Sequence, residues 1–170
     1  MEKRSSSAGV ASKAEAADAK AQLDAFMAKF SPETAAHAKA TLREMRKLYP
    51  TALELVYDNY NALAIGFSPS DRASDGIFSI ALYPRWVSLF FLQGAGLSDR
   101  KGILKGSGKV VRYVVLSSPQ MLHDPDVQAL MNRAVERAKV PFAPAGKRRL
   151  IIKSISEKQR PRQPASLAAR

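Results

Sequence analysis

The sequence contains no cysteine and no long apolar run. Without a thiol the chain cannot form a disulfide, a zinc finger, an iron–sulfur cluster or a cysteine nucleophile. No apolar stretch approaches the roughly 20 residues that a membrane-spanning helix needs. The first residues also lack the apolar stretch of a signal peptide. We therefore expect a cytoplasmic protein with no membrane span.

Acidic residues are scarce relative to basic ones. The 170 residues include 27 Lys or Arg against 15 Asp or Glu, which gives a net charge of +12. Residues 147–170 hold eight Lys or Arg and a single Glu, so this short segment carries +7 of the excess. Phosphates, nucleic acids, acidic proteins and anionic lipids are all compatible partners, and net charge alone does not choose among them.

The composition divides the chain into one domain and two polar ends. Hydrophobic residues make up 46% of the sequence, which is enough for a packed core. Residues 1–19 are rich in Ala, Ser, Lys and Glu, and we expect a flexible leader that is partly helical. We expect a single α+β domain over residues 20–156. Residues 157–170 are basic and contain prolines, which predicts a mobile tail with almost nothing to pack.

Two helices are predicted from their starting signals. Ser31 and Asp124 can each cap free backbone N–H groups, and each is followed by a proline at the first helical position. Apolar residues then recur at helical spacing, which predicts helices near 32–49 and 124–139. Leu42 and Leu130 lie on the apolar stripes and are the expected core anchors. An earlier helical pattern begins at Leu23.

Between and after these helices the chain has short runs of β-prone residues bounded by turn residues. They cover residues 54–57, 62–67, 77–83, 86–92, 109–116 and 149–155. Runs of strands flanked by helices favour an α+β fold over a doubly wound one. We predict an antiparallel β-meander sheet of about five to six strands, covered on one face by two main helices.

No residue pattern in the sequence predicts catalysis, a cofactor or a metal ion. Residues 102–109 differ from a phosphate-binding loop, because five residues separate Gly102 from Gly108 and Val110 replaces the hydroxyl that holds Mg²⁺. His37 and His123 have no second ligand at helical spacing. No G-x-S-x-G elbow is present. We therefore expect a non-enzymatic protein and assign no catalytic residue, metal ligand or cofactor.

Aromatic and polar residues near the predicted turns are candidates for a ligand pocket. An Asx-type turn is the simpler interpretation of residues 57–61, and a place in the core is the simpler interpretation of Trp86. If the side chains instead converge on a cavity, they could bind a small ligand. The candidates are Tyr57, Asp58, Tyr60, Asn61, Trp86 and Arg112.

Basic residues near the C-terminal end are candidates for polyanion binding. Such residues neutralise phosphates without sequence preference, and their binding weakens steeply with salt. A solubilising tail with no dedicated partner is the other interpretation. The candidates are Lys147, Arg148, Arg149, Lys158, Arg160 and Arg162.

Several segments in order resemble the YdhG-like family of small, mostly uncharacterised bacterial proteins. They are residues 23–33, the acidic and aromatic turn near Tyr57, and residues 80–84, 106–116 and 149–162. The resemblance covers about residues 22–162. It implies a compact α–β meander–α domain, a two-layer sandwich similar to that of frataxin, and it supplies no catalytic residues.

Three functions follow from these observations. The first is a small binding or carrier module for an unknown small ligand or protein. The second is weak, non-specific nucleic-acid binding through the basic C-terminal segment. The third is iron carriage, which the frataxin-like architecture implies. Residues 31–50 disfavour it, because Glu33 and Glu44 are their only acids among more numerous Lys and Arg.

Overall fold

A computed structural model of the chain describes residues 13–165. These residues form three α-helices and six strands, with short 3-10 turns between some of them. The helices are α1 (Lys13–Ala28), α2 (Pro32–Leu48) and α3 (Pro125–Arg137). The strands are β1 (Leu53–Asp58), β2 (Leu63–Ser68), β3 (Phe78–Leu82), β4 (Val87–Phe91), β5 (Arg112–Leu116) and β6 (Leu150–Ile155).

The starts of α2 and α3 agree with the predicted caps. Ser31 Oγ accepts a hydrogen bond from the Thr34 backbone N–H at 3.2 Å. Asp124 Oδ1 accepts hydrogen bonds from Asp126 N–H at 2.9 Å and Val127 N–H at 3.2 Å. Each cap satisfies N–H groups that the first helical turn leaves without partners.

The first helix begins earlier than the sequence analysis predicted. Residues 13–19 belong to α1, and Ala19 is buried. Residues 13–19 are thus the helical part of the predicted leader, while residues 1–12 lie outside the described chain. Ala, Lys and Glu have high helix propensity, and the packed face at Leu23 and Met27 lets the helix propagate towards the N-terminus.

The six strands form one mixed sheet in the order β5-β4-β3-β2-β1-β6. Strands β1 to β5 form antiparallel neighbours, as predicted, but β6 pairs in parallel with β1. The prediction of a purely antiparallel sheet is wrong at this edge. The chain passes through α3 between β5 and β6, so β6 enters the sheet from the same end as β1.

All three helices pack on one face of the sheet, which we call the covered face. Its strand residues belong to the same hydrophobic cluster as Leu42 and Leu130, which are 1% and 2% exposed. These strand residues are Val56, Leu63, Ile65, Phe67, Phe78, Ile80, Leu82, Val87, Leu89, Phe91, Val114 and Leu116. Because successive side chains of a strand point to opposite faces, the residues between them define the second face, which we call the open face.

The segment after β6 is anchored to the domain by Arg162. This side chain is 5% exposed, and its Nη2 donates to Asp58 Oδ1 at 2.8 Å and to the Asn59 carbonyl at 2.6 Å. Its guanidinium also lies 5.5 Å from the centre of the Phe30 ring. The expectation that residues 157–170 have almost nothing to pack is wrong here, because the buried carboxylate of Asp58 needs a cation.

Candidate functional site

The predicted pocket residues do not converge on one cavity. Residues 57–61 lie at the end of β1 and in the turn to β2, and Trp86 lies in the turn between β3 and β4. The antiparallel pairing places both turns at the same end of the sheet. Arg112 pairs with Phe91 at the opposite end. Its guanidinium donates to the Val111 carbonyl at 2.8 Å and to that of Gly108.

In the β1–β2 turn Asn59 and Asn61 are both exposed, and neither side chain forms a hydrogen bond or ion pair within residues 13–165. Asp58 is 1% exposed and faces the covered side, where Arg162 holds it. Tyr60 is about half exposed, and Arg160 lies over its ring at 5.6 Å. Asp58 and Tyr60 are therefore engaged by the segment after β6 and are not directed towards a shared ligand.

Tyr57 and Trp86 do share a surface, because strand alternation places both on the open face. One row across this face runs through Tyr57, Ala64, Ala81, Ser88 and Val115. A parallel row runs through Leu55, Gly66, Ser79, Phe90 and Tyr113. Small residues thus occupy the middle of the open face, and large ones flank them.

Two stacked aromatic pairs lie on the β3–β5 side of the open face. The Tyr83 and Trp86 rings lie 5.1 Å apart with 23° between their planes. The Phe90 and Tyr113 rings lie 5.2 Å apart at 25°. Trp86 is 44% exposed. We call these four residues the aromatic strip.

Tyr83 of the aromatic strip is partly desolvated. Burial raises the pKa of Tyr83 above its usual value, and the nearby Tyr113 phenol raises it further. Both effects disfavour a phenolate. Tyr83 therefore presents a neutral ring at physiological pH.

Two buried hydroxyls on the open face lack hydrogen-bond partners. Ser88 is 1% exposed, and its Oγ forms no hydrogen bond within the described chain. The Tyr57 hydroxyl is also buried without a partner, and burial raises the pKa of Tyr57. Most buried polar groups in proteins are paired, so these two are exceptions that a ligand or water could satisfy.

Two cations accompany the aromatic strip. Lys105 and Tyr113 are bridged by reciprocal backbone hydrogen bonds of 2.8 and 3.0 Å. Residues directly opposite in an antiparallel pair share a face, so Lys105 lies beside Tyr113. Arg85 is exposed and adjoins Trp86 in the hairpin turn. No carboxylate among residues 13–165 pairs with either cation.

The buried carboxylates of β1 are held by arginines. Glu54 is fully buried, and it accepts from Arg46 Nη2 at 2.7 Å and Arg46 Nε at 3.1 Å. Arg148 Nε lies 3.2 Å from the other carboxylate oxygen. With Asp58 paired to Arg162, both acids of β1 are neutralised structural groups.

The predicted polyanion-binding residues fall into two groups. Arg148 and Arg162 hold the buried acids Glu54 and Asp58, and Arg162 is not available to an outside ligand. The other four are exposed and pair with no carboxylate of residues 13–165. They are Lys147, Arg149, Lys158 and Arg160.

Metal ligation and membrane spanning find no support in the described chain. Residues 13–165 contain no group of three or more His, Asp or Glu side chains placed to hold a metal ion. His123 Nε2 lies 2.8 Å from Glu44 Oε2 on the surface, and this contact lowers the pKa of Glu44. No helix among these residues has the length and apolar character to cross a membrane.

The sequence analysis missed Tyr83, Phe90, Tyr113 and Lys105 as site residues. The aromatic residues could have been found from the alternation of side chains along β3 and β4, where small and aromatic residues occupy every second position. Comparison with protein-family models, curated proteins and solved structures gave no match. Membership of the YdhG-like family therefore stays a prediction.

Proposed function

We propose that this protein is a non-enzymatic binding module, and that its open face binds single-stranded nucleic acid. The observation that carries the proposal is the aromatic strip, two stacked ring pairs left partly exposed on a sheet face that no described helix covers. The carboxylates of β1 support a non-enzymatic role, because both are buried in ion pairs with arginines on the covered side.

Base stacking is the interaction that fits the strip. Bases stack on aromatic side chains with little sequence preference, and each stack contributes about 1–3 kcal/mol. Trp86 has the most exposed ring of the strip and lies at its hairpin end. Folded domains with helices on one face of a sheet and aromatic residues on the other face use this mode for single strands.

Charge favours the same ligand. Lys105 and Arg85 flank the strip without carboxylate partners in the described chain, and the aligned rows of the open face contain no acid. Cations beside stacking rings can neutralise the phosphates that connect the bases. A duplex would not serve, because its bases are already stacked inside the helix.

The test uses the protein's single tryptophan, Trp86, as its reporter. The full-length protein is titrated with an oligothymidylate of about ten nucleotides, and Trp86 fluorescence and the anisotropy of a labelled strand are both recorded. We expect quenching of Trp86 on binding. Tyr113→Ala should weaken binding about tenfold, because one stack is lost.

Two matched variants complete the test. Ile155→Ala removes an exposed apolar side chain outside the aromatic strip, and it should bind as the wild type does. Lys105→Ala should reduce the slope of log affinity against log salt by about 0.7, the value for one phosphate contact on a single strand. Unchanged Trp86 fluorescence, together with wild-type affinity of Tyr113→Ala, would refute the open face as the site.

A second candidate is non-specific duplex binding by the exposed basic residues near the C-terminal end. Lys147, Arg149, Lys158 and Arg160 favour it, because all four are exposed and unpaired with carboxylates in the described chain. Replacing these four with Ala leaves the Arg162 anchor intact. If this surface binds, the variant should lose duplex binding at low salt and retain oligothymidylate binding.

A further inference from the structure

A pocket of about 240 Å³ lies beside the C-terminal end of α3. Its walls come from the 3-10 turn before β3, the segment after β4, and the last turn of α3. The side chains that matter here are Asp75, Gln93, Leu97, Ala134, Arg137 and Val140. The pocket is smaller than the roughly 300–1,000 Å³ of sites for drug-sized ligands, so it suits a small molecule.

Two opposite charges line this pocket without neutralising each other. Asp75 Oδ2 accepts a hydrogen bond from Ser70 Oγ at 2.6 Å, and no Lys or Arg within residues 13–165 pairs with the carboxylate. Arg137 has no carboxylate partner in the same part of the chain. Arginine and carboxylate groups form strong, often bidentate pairs when they meet, and these two do not pair with each other.

The Arg137 guanidinium lies against the backbone at Gly96. A Cβ atom at Gly96 would lie 2.6 Å from both Nη1 and Nη2 of Arg137. The guanidinium therefore lies directly against bare backbone, in space that any other residue type would occupy. The backbone at Gly96 thus bounds the guanidinium on one side, while Arg137 itself is exposed.

We propose that this pocket binds a small zwitterion, a molecule with an ammonium group and a carboxylate on a short apolar body. The ammonium group pairs with Asp75, and the carboxylate accepts two parallel N–H groups from Arg137. Leu97, Ala134 and Val140 supply the apolar contacts for the body. Lys139 also lines the pocket and adds positive charge to it.

The helix dipole explains part of the position of Arg137. The C-terminal end of a helix carries partial negative charge and attracts cations. That explanation accounts for the sign of Arg137. It does not account for an unpaired Asp75 in the same pocket, nor for the fit of the guanidinium against Gly96. A helix-end role predicts that replacing Arg137 lowers stability with no effect on ligand binding.

The experiment compares four probes by calorimetry on the full-length protein. They are 6-aminohexanoate, with its charges at opposite ends of a methylene chain, L-leucine, with both charges on one carbon, hexanoate and hexylamine. We expect at least one of the two zwitterions to bind more than tenfold tighter than both singly charged probes. Hexanoate binding as tightly as the zwitterions would overturn the proposal, and so would an absence of binding by all four.

Variants locate the binding. Asp75→Asn and Arg137→Met should each weaken zwitterion binding at least tenfold. Gly96→Ala should do the same by displacing the guanidinium, and it should fold because its Cβ meets only that flexible end. Arg133→Ala, one turn earlier on α3, should bind as the wild type does. Equal affinity of the wild type and Gly96→Ala would refute the assigned role of Arg137.

Discussion

Strand β3 shows how differently the two faces of the sheet are built. Its covered side carries Phe78, Ile80 and Leu82, which are all fully buried. Its open side carries Ser79 and Ala81, and Tyr83 follows at the strand end. The covered face fills volume against three helices, as a close-packed core requires. On the open face the small Ser79 and Ala81 are also buried, at 8% and 4% exposed, whereas Trp86 at the hairpin end is 44% exposed and remains available to a partner.

The faces also differ in charge. The covered side holds two buried carboxylates, Glu54 and Asp58, each with an arginine. The open side has Lys105 and Arg85 at its margin and no acid in its aligned rows. The buried ion pairs of the covered face stabilise the fold, whereas the exposed and unpaired cations of the open face are suited to binding. The predictions below separate these two roles.

The largest effect on stability is expected from Arg162→Ala. Removing this guanidinium leaves the Asp58 carboxylate buried, with only Lys29 Nζ at 3.8 Å to compensate. Breaking a buried ion pair costs about 3–5 kcal/mol, and we expect a loss in this range by chemical denaturation. Arg160→Ala is the matched control. A second change, Asp58→Asn, should restore part of the loss. Equal stability of both single arginine variants would contradict the anchor.

The next largest loss of stability is expected from core truncations on the covered face. Leu42→Ala and Leu130→Ala each remove a side chain that is at most 2% exposed. Each should lower the free energy of unfolding by about 2–5 kcal/mol. Oligothymidylate affinity of the folded fraction should be unchanged. A loss below about 0.5 kcal/mol, typical of surface positions, would show that these helices do not form the core.

Trp86→Ala should weaken nucleic-acid binding while costing less stability than the core truncations. Because Trp86 is 44% exposed, we expect its loss to cost less stability than the roughly 3–5 kcal/mol of truncating a fully buried aromatic side chain. The same change should weaken oligothymidylate binding about tenfold, since one base stack contributes about 1–3 kcal/mol. Denaturation and anisotropy on one preparation check both numbers. A large stability loss with unchanged binding would place Trp86 in the core.

Ser88→Ala tests the unpartnered hydroxyl of the open face. A buried polar group without a hydrogen bond is costly, so its removal should leave stability unchanged or raise it by up to about 1 kcal/mol. Ser79→Ala, in the neighbouring strand of the same face, is the comparison, because Ser79 Oγ is not among the buried orphans. Destabilisation by Ser88→Ala alone would indicate that the hydroxyl has a partner.

The smallest effect at neutral pH is expected from Tyr49→Phe. Burial raises the pKa of Tyr49 to about 12, and its ring packs against Phe78 and Phe142. A phenol in the unfolded chain titrates near pH 10. The stabilising effect of the neutral phenol is complete below about pH 10 and is lost as the pH rises towards 12. As the pH rises from about 10 to about 12, the free energy of unfolding of Tyr49→Phe should therefore fall less than that of the wild type. Parallel curves would contradict the burial of Tyr49.

Local signals predicted much of this fold. The caps at Ser31 and Asp124, the stripes that contain Leu42 and Leu130, and the strand meander all depend on residues close in sequence. The parallel entry of β6 could not be predicted in the same way, since it depends on the path of the chain across α3. The Asp58–Arg162 pair joins residues 104 positions apart, and no local pattern relates them.

The candidate site was predicted only in part for a related reason. Tyr57 and Trp86 were recognised as turn residues, and their common face becomes apparent only when the register of β1 to β4 is known. Phe90 and Tyr113 resemble ordinary core aromatics in a sequence. Phe90 and Tyr113 stay near the surface because the helices cover the opposite face of the sheet. Packing across the whole domain determines which face the helices cover.

The Asp58–Arg162 pair has a consequence for synthesis of the chain. Translation proceeds at roughly 5–20 residues per second, so Arg162 leaves the ribosome about 5–20 s after Asp58, which precedes it by 104 positions. Until then the nascent domain holds an acid at the end of β1 whose main partner has not been made. That end of the covered face stays hydrated on the ribosome, and a chain stalled before residue 162 remains an incompletely closed domain.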